Sequence, residues 1–481
     1  MPMHPPHAAC AFTSDDLPAL LAASRTAWQQ HIPDYAQRMD DLARLRHAFV
    51  QRLDDLCAAM AADFGQRPRH ESLLADAFPV LHALDHTRRH LRRWMRARHG
   101  WADWPFLPAR IAIVPRPLGV VGIIAPWNYP VNLALVPLLQ ALAAGNHVLL
   151  KPSEHTPRTS AALAELLAAV FPPQRVAVVQ GDAGVGAAFA ALPFDHLFFT
   201  GSTAVGRLVA QAAAANLTPV TLELGGKSPA LVAPGYPLAR AAARIAQGKL
   251  LNAGQTCIAP DYVLLPRGTR AAFCAAIADY VTRHYPALRG TPDYASILNA
   301  AHYARLQALL DEARKAGAEV VTLPDARAHD AQRRILAPTL VLADAALDLR
   351  LLREEIFGPV LPLLEYDSEA EALAIIARNP DPLALYLFDD DHARSARMLA
   401  QLRCGGACIN DTLVQFAQSG LPFGGIGRSG MGAYHGQAGF LRFSHQQPVL
   451  RQGRWSSAAL LRPPYGARTE RVLRLLLRRG S

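Results

Sequence analysis

Lysine is almost missing from this chain. Four residues, Lys151, Lys227, Lys249 and Lys315, stand against 45 arginines. Cysteine is scarce too: six in 481 residues, at positions 10, 57, 257, 274, 404 and 408, with no CxxC spacing. That excludes a disulfide scaffold and suits a reducing compartment. Cys404 and Cys408 lie four apart with no histidine nearby, which speaks against a zinc site. No apolar run reaches the roughly 18 residues that a bilayer-spanning helix needs. The opening MPMHPPHAACAF lacks the basic and apolar regions of a signal peptide, so a cytoplasmic protein is expected. Neither an internal repeat nor a low-complexity linker occurs.

What is present describes a compact globular protein, 51% hydrophobic and 18% charged, long enough for two or three domains. The net charge of +10 is concentrated at one end. Residues 451–481 carry eight arginines and one glutamate, so the remaining body is close to neutral and no nucleic-acid partner is expected.

Thr13-Ser14-Asp15-Asp16 can cap a first helix. Leu42, Leu45, Phe49, Leu53, Leu56 and Met60 recur at spacings of three and four, predicting one amphipathic helix that Gly65 ends. His82, His86 and His90 share a helix face, but the surrounding Asp85, Arg88, Arg89, Arg92 and Arg93 predict a solvated face rather than a metal site. From residue 110 onward, β-rich runs alternate with Ala/Leu-rich helical stretches. Strands are predicted at 120–124, 147–151, 176–180, 196–200 and 220–224, with helices at 133–144, 159–170 and 205–215. That rhythm implies a parallel sheet with crossover helices, a doubly wound α/β domain. A second set has strands near 230–232, 262–265, 319–322, 360–364 and 383–388. Gly425-Ile426-Gly427-Arg428-Ser429-Gly430 satisfies GxGxxG but follows no buried strand. Gly226-Lys227-Ser228 resembles a P-loop ending, yet Thr221 stands where the first glycine is required.

Several stretches carry chemistry. Cys257 closes Asn252-Ala253-Gly254-Gln255-Thr256-Cys257, where Gly254 is expected to let the backbone approach a substrate. Glu223 opens Glu223-Leu224-Gly225-Gly226-Lys227. A thiol and a carboxylate, each beside a glycine turn, suggest a nucleophile and a base; either alone reads as ordinary structure. Phe199-Thr200-Gly201-Ser202 runs from a strand into an Ala-rich helix that includes Gly206, offering N–H groups to a pyrophosphate. Lys151-Pro152-Ser153-Glu154 can hold ribose hydroxyls or form a surface ion pair. Pro126-Trp127-Asn128-Tyr129-Pro130 fixes an amide that can donate to an oxyanion. Glu354-Glu355-Ile356-Phe357-Gly358-Pro359 sets a carboxylate and a ring just before a turn.

The ordered set PWNYP, KPSE, FTGS, ELGGK, NAGQTC, EEIFGP and PFGGIGRSG resembles the aldehyde dehydrogenase superfamily over about residues 30–450. It is most similar to the short class 3 branch and, within it, to the coniferyl aldehyde dehydrogenases. The resemblance implies two doubly wound parallel-sheet domains and a small bridging or oligomerisation element. Residues 1–104 and 119–224 would bind the dinucleotide, and 225–413 would carry catalysis. Residues 105–118 and 414–450 would bridge, and 451–481 would form a basic tail. It further implies that Cys257 attacks the aldehyde, that Asn128 and the Cys257 N–H hold the oxyanion, and that Glu223 activates water to release the acid. NAD, with NADP also accepted, would be bound by Trp127, Lys151, Ser153, Glu154, Gly201, Ser202, Gly206, Leu224, Gly225, Glu355 and Phe357, with no metal. A free thiol near pKa 8.5 would need only modest activation by nearby dipoles.

The expected substrate is an aromatic or other apolar aldehyde, coniferaldehyde being the named candidate. A fatty-aldehyde enzyme, a cysteine-dependent esterase and a catalytically silent relative are the competing readings. A homodimer is expected. The tail predicts a short basic amphipathic helix over Thr469–Arg479, packed on the protein itself, with weak contact to an anionic membrane surface as the runner-up.

Overall fold

The computed structural model describes residues 14–286, 288, 290–325 and 328–478; Cys10, Thr13 and Arg479 lie outside them. In chain order the strands are β1 (Arg98–Trp101), β2 (Arg110–Pro117), β3 (Val120–Ile124), β4 (His147–Lys151), β5 (Val176–Val178), β6 (His196–Thr200), β7 (Val220–Glu223) and β8 (Pro229–Val232). They continue as β9 (Tyr262–Pro266), β10 (Glu319–Thr322), β11 (Thr339–Leu342), β12 (Val360–Tyr366), β13 (Ala384–Phe388), β14 (Gly406–Ile409), β15 (Gly430–Met431) and β16 (Ser444–Arg451). One sheet runs β15-β7-β6-β3-β4-β5, a second β10-β11-β12-β9-β8-β13-β14, and a third β1-β2-β16. In the first two sheets the central strands are parallel and almost wholly buried, because crossover helices cover both faces.

Local chemistry explains most boundaries. The helix Asn132–Ala144 is apolar all round, buried at every position, and stops at Gly145 with φ 93°. Its entry is held by Asp76, whose carboxylate accepts the N–H groups of Val131 (3.1 Å) and Asn132 (3.0 Å). Arg67 pairs with the same carboxylate at 2.7 Å, both side chains fully buried.

Four expectations need correction. The single helix ending at Gly65 is two, Tyr35–Gln51 and Leu53–Phe64. The chain kinks at Arg52 (φ −105°, ψ 10°), whose guanidinium is drawn to Asp55 and Glu165. The apolar spacing continues through the kink, so periodicity hides it. The second sheet is mixed, since β10 pairs antiparallel with β11. Strands β1, β11 and β14 were not anticipated; all three are four residues long. The stretch 414–443 does not join β1-β2-β16. Instead β15 pairs with the β7 edge, placing Gly430 opposite Glu223, and the helix Gly436–Arg442 packs on Asn132–Ala144.

The three histidines form no solvated face either. His86 is half-buried with its ring 4.3 Å from His90 and 5.7 Å from Trp94, and burial pushes its pKa down to about 4. Among the described residues no helix is long and apolar enough to cross a membrane, and no cluster of metal-ligating side chains occurs.

Candidate active site

The parallel register of β4, β3, β6 and β7 brings their C-terminal ends together. Lys151 lies opposite Ile124, Ile124 opposite Phe199, and Thr200 opposite Glu223. In open α/β sheets this edge is where ligands bind. After β6, Ser202 caps the helix Thr203–Ala214 by accepting the Val205 N–H at 3.3 Å. The positive helix end therefore opens beside Glu223.

Cys257 arrives by a strained route. The helix Leu238–Leu250 ends, and Asn252 (φ 52°), Ala253 (φ 49°) and Gly254 (φ 74°) follow in left-handed geometry. Two of these are not glycine, so the turn must be held from outside. Gln255 donates to Asn252 O and Ser296 O at 3.0 Å each and accepts the Leu298 N–H at 2.9 Å. Asn252 Nδ2 donates to Asn128 O at 3.0 Å, and Asn128 Nδ2 donates to Gln255 O at 3.1 Å. Tyr129 and Thr256 share a hydroxyl contact of 2.5 Å. Gly254 proves to be needed for a different reason from the one expected. A Cβ there would overlap Gly358 O, so the glycine admits the turn after Phe357 rather than a substrate.

The thiol is not the easily ionised group expected. Burial, then the carboxyl groups of Glu355 and Glu223, push Cys257 up to about 12, against a smaller lowering by the N–H groups of Cys257 and Ile258. Glu223, at the end of β7, is 2% exposed, and neither carboxylate oxygen has a hydrogen-bond partner among the described residues. Burial holds its pKa well above the ordinary value. Glu355 is pushed up to about 8 by burial and by Asp261, against the Gly226 N–H, Lys227 and Arg305. Its carboxylate lies where a Cβ on Gly225 would be, so that position must be glycine. Behind it Asp261 meets Lys227 at 2.5 Å and Lys249 at 3.6 Å, all three buried.

Two cavities meet at Cys257. One, of about 220 Å³, is lined by Trp127, Asn128, Gly201, Ser202, Glu223, Leu224, Gly225, Glu355 and Phe357 together with Cys257. The other, of about 330 Å³, is lined mainly by apolar groups, among them Leu74, Phe78, Tyr129, Leu133, Leu251, Ile258, Leu413 and Phe416. Only a side chain at the junction can meet ligands from both. The sequence profile of the "Aldehyde dehydrogenase family" matches residues 10–449. The chain belongs to the aldehyde dehydrogenase family.

A "Probable coniferyl aldehyde dehydrogenase" of Pseudomonas aeruginosa is 46% identical over 460 residues, covering 95% of this chain and 96% of that protein. Among solved structures, the substrate-bound state of Staphylococcus aureus AldH is 36% identical with TM-score 0.89, covering 95% of this chain and 99% of that one. A Mycobacterium tuberculosis aldehyde dehydrogenase complexed with NAD+ is 29% identical with TM-score 0.81, covering 92% of each chain. This aldehyde dehydrogenase accordingly oxidises an aldehyde to the carboxylic acid with a nicotinamide dinucleotide, NAD(P), as acceptor.

Of the fourteen residues singled out from sequence, ten line the smaller cavity. Lys151, Ser153, Glu154 and Gly206 do not. Lys151 is buried and donates to Pro152 O (2.9 Å) and Glu154 (3.3 Å). Ser153 is buried and accepts the His155 N–H at 3.2 Å. Gly206 faces Leu224, where a Cβ would press on the leucine methyls, so it brings the helix close to the strand end. Sequence reasoning missed His302, Arg305, Phe423 and Tyr434, which also line the cavity. The His302 ring lies tilted 5.1 Å from Trp127, and Phe357, at φ 53°, meets the same indole edge-on at 5.3 Å. Phe423 and Tyr434 lie in the stretch read as bridging. Only the pairing of β15 with β7 reveals them.

Proposed function

We propose that Cys257 is the nucleophile, Glu223 the base of deacylation and Asn128 part of the oxyanion site. The observation that carries this is the position of Cys257 at the junction of the two cavities, with Glu223 on the dinucleotide side. The dinucleotide fits the 220 Å³ side by its donor set: the helix end at Ser202, the Glu355 carboxylate with one unpartnered oxygen, and the Trp127 and Phe357 rings. When bound there, its nicotinamide accepts the hydride from the substrate carbon. The thiol loses its proton to water and adds to the aldehyde carbonyl as a thiohemiacetal. The second amide hydrogen of Asn128 and the Cys257 N–H hold the oxyanion. Oxidation at carbon leaves a thioester on Cys257. Glu223, with no partner to satisfy, takes a proton from water as that water attacks the thioester, and the acid leaves.

The larger cavity supports an aromatic or other apolar aldehyde, with a coniferaldehyde-like compound first; the name of the Pseudomonas aeruginosa relative points the same way. A panel comparing coniferaldehyde with straight-chain and short charged aldehydes, followed by reduced nicotinamide, tests it. Equal efficiency on charged semialdehydes would overturn the aromatic reading. Glu154 is proposed to favour NAD by repelling a 2′-phosphate, with Lys151 beside it; a measured preference for NADP would remove that role. The sheet containing β7 is proposed as the dinucleotide domain, the sheet containing β8 as the catalytic domain, and β1-β2-β16 as the contact between two copies in a homodimer. A cytoplasmic setting belongs to the same proposal, supported by free thiols at Cys57, Cys257, Cys274, Cys404 and Cys408.

A further inference from the structure

We propose that Glu71 is a positioning residue for the nucleophile loop, a carboxylate latch that ties Cys257 to the N-terminal helical segment. Its Oε2 accepts the Asn252 N–H at 3.0 Å, 181 residues away in the chain. Asn252 is the first of the three left-handed residues that deliver Cys257. Asn252 also donates to Asn128 O, and Arg67, four residues before Glu71, donates to that same oxygen at 2.8 Å. One short segment therefore grips both proposed halves of the oxyanion site. Without an acceptor, the Asn252 N–H would be unpaired at the most strained point of the loop.

A carboxylate is an expensive choice there. Glu71 faces Arg67 and the Asn252 N–H, with Asp293, Tyr129, Tyr285 and Tyr294 around it. Burial raises its pKa from 4.5 to about 7, the opposing effects of Arg67 and the N–H being smaller. Its folded-state pKa is raised, so its stability contribution is fully present below 4.5 and is lost as pH rises through 7. The ionised form is the better acceptor and holds the loop most firmly above pH 7. Stability and grip thus change in opposite directions with pH. A residue kept only for packing would show no such opposition.

Glu71→Gln keeps the shape and removes the charge. At pH 8 it is expected to lower kcat on the order of fivefold, raise Tm, and leave KM for NAD unchanged. At pH 6, where the native carboxyl is mostly protonated, the two kcat values should converge. Glu71→Asp keeps the charge but withdraws it from Asn252, and should lower kcat at both pH values. Wild-type kcat at pH 8 in either variant overturns the latch, as does a fall in kcat accompanied by a fall in Tm for Glu71→Gln. The inference rests on Cys257 as nucleophile, so Cys257→Ala is assayed alongside. If that variant stays active, the reading of the nucleophile fails. If it is inactive while both Glu71 variants behave as wild type, only the latch fails.

Discussion

At the scale of single residues, one cause, burial, shifts both the proposed nucleophile Cys257 and the proposed base Glu223. The thiol is pushed up to about 12 and Glu223 well above its ordinary carboxylate range, desolvation being the largest cause in each. Cys257→Ala should cost at least roughly a thousandfold in turnover while equilibrium binding of NAD, read by tryptophan fluorescence, persists. Retained activity would exclude this thiol. Glu223→Gln should leave the first burst of reduced nicotinamide and slow the steady state. A lost burst would give Glu223 an earlier role. The pH dependence has a worked sign as well. Glu355 is raised from 4.5 to about 8, so the stability it contributes is present below 4.5 and lost as pH rises through 8. Glu355→Gln should therefore raise Tm at pH 9 and leave it nearly unchanged at pH 4, as differential scanning calorimetry would read.

At the scale of elements, the site depends on how two turns and one helix are seated. Gly254→Ala would place a methyl against Gly358 O at a φ of 74°. The backbone term alone costs about 1–2 kcal/mol, and the overlap displaces the turn carrying Phe357. The expected outcome is lower Tm together with weakened NAD binding; an unaltered dissociation constant would separate the two turns. Asp76→Ala strands a fully buried Arg67 and frees the N-terminus of Asn132–Ala144. Breaking such a pair costs about 3–5 kcal/mol, measurable by urea unfolding. A loss below about 1 kcal/mol would mean that Arg67 finds another partner. His86 and His90 show the limit of face arguments: their charged neighbours are on the same helix, yet Trp94 lies against both rings and Gly436 beside His86.

At the scale of the whole molecule, the basic tail is the open element. The helix Ala467–Arg478 packs on the turn Ser457–Leu461, which in turn meets Trp104–Phe106 next to the three-stranded sheet. Thr469 is buried there, while Leu473, Leu475 and Leu477 stay exposed. Of the expected apolar face, Val472 and Leu476 are half-buried and the other three leucines remain uncovered. Removing residues 467–481 should lower Tm by a few degrees or loosen the dimer in sedimentation, with binding to anionic vesicles at physiological salt unchanged. Loss of vesicle binding with stability and assembly intact would overturn docking as the role of this helix.

Much of this protein is written in local pattern. Buried parallel strands are continuous apolar runs, so β3, β4 and β6 were placed with their observed limits, and the motifs around Cys257, Glu223 and Asn128 named the family. Local pattern is blind wherever the cause lies far along the chain. Arg52, where the helix breaks, pairs with Glu165, the left-handed turn before Cys257 is hydrogen-bonded to Glu71 and Ser296, and the need for Gly254 and Gly225 comes from Gly358 and Glu355. Tyr434 and Phe423 reach the cavity only because β15, two residues long, pairs with β7. The sequence by itself determined the family and the residue types proposed for the reaction. Tertiary structure alone decided their ionisation and their neighbours, because burial and contact are properties of chain segments brought together from hundreds of residues apart.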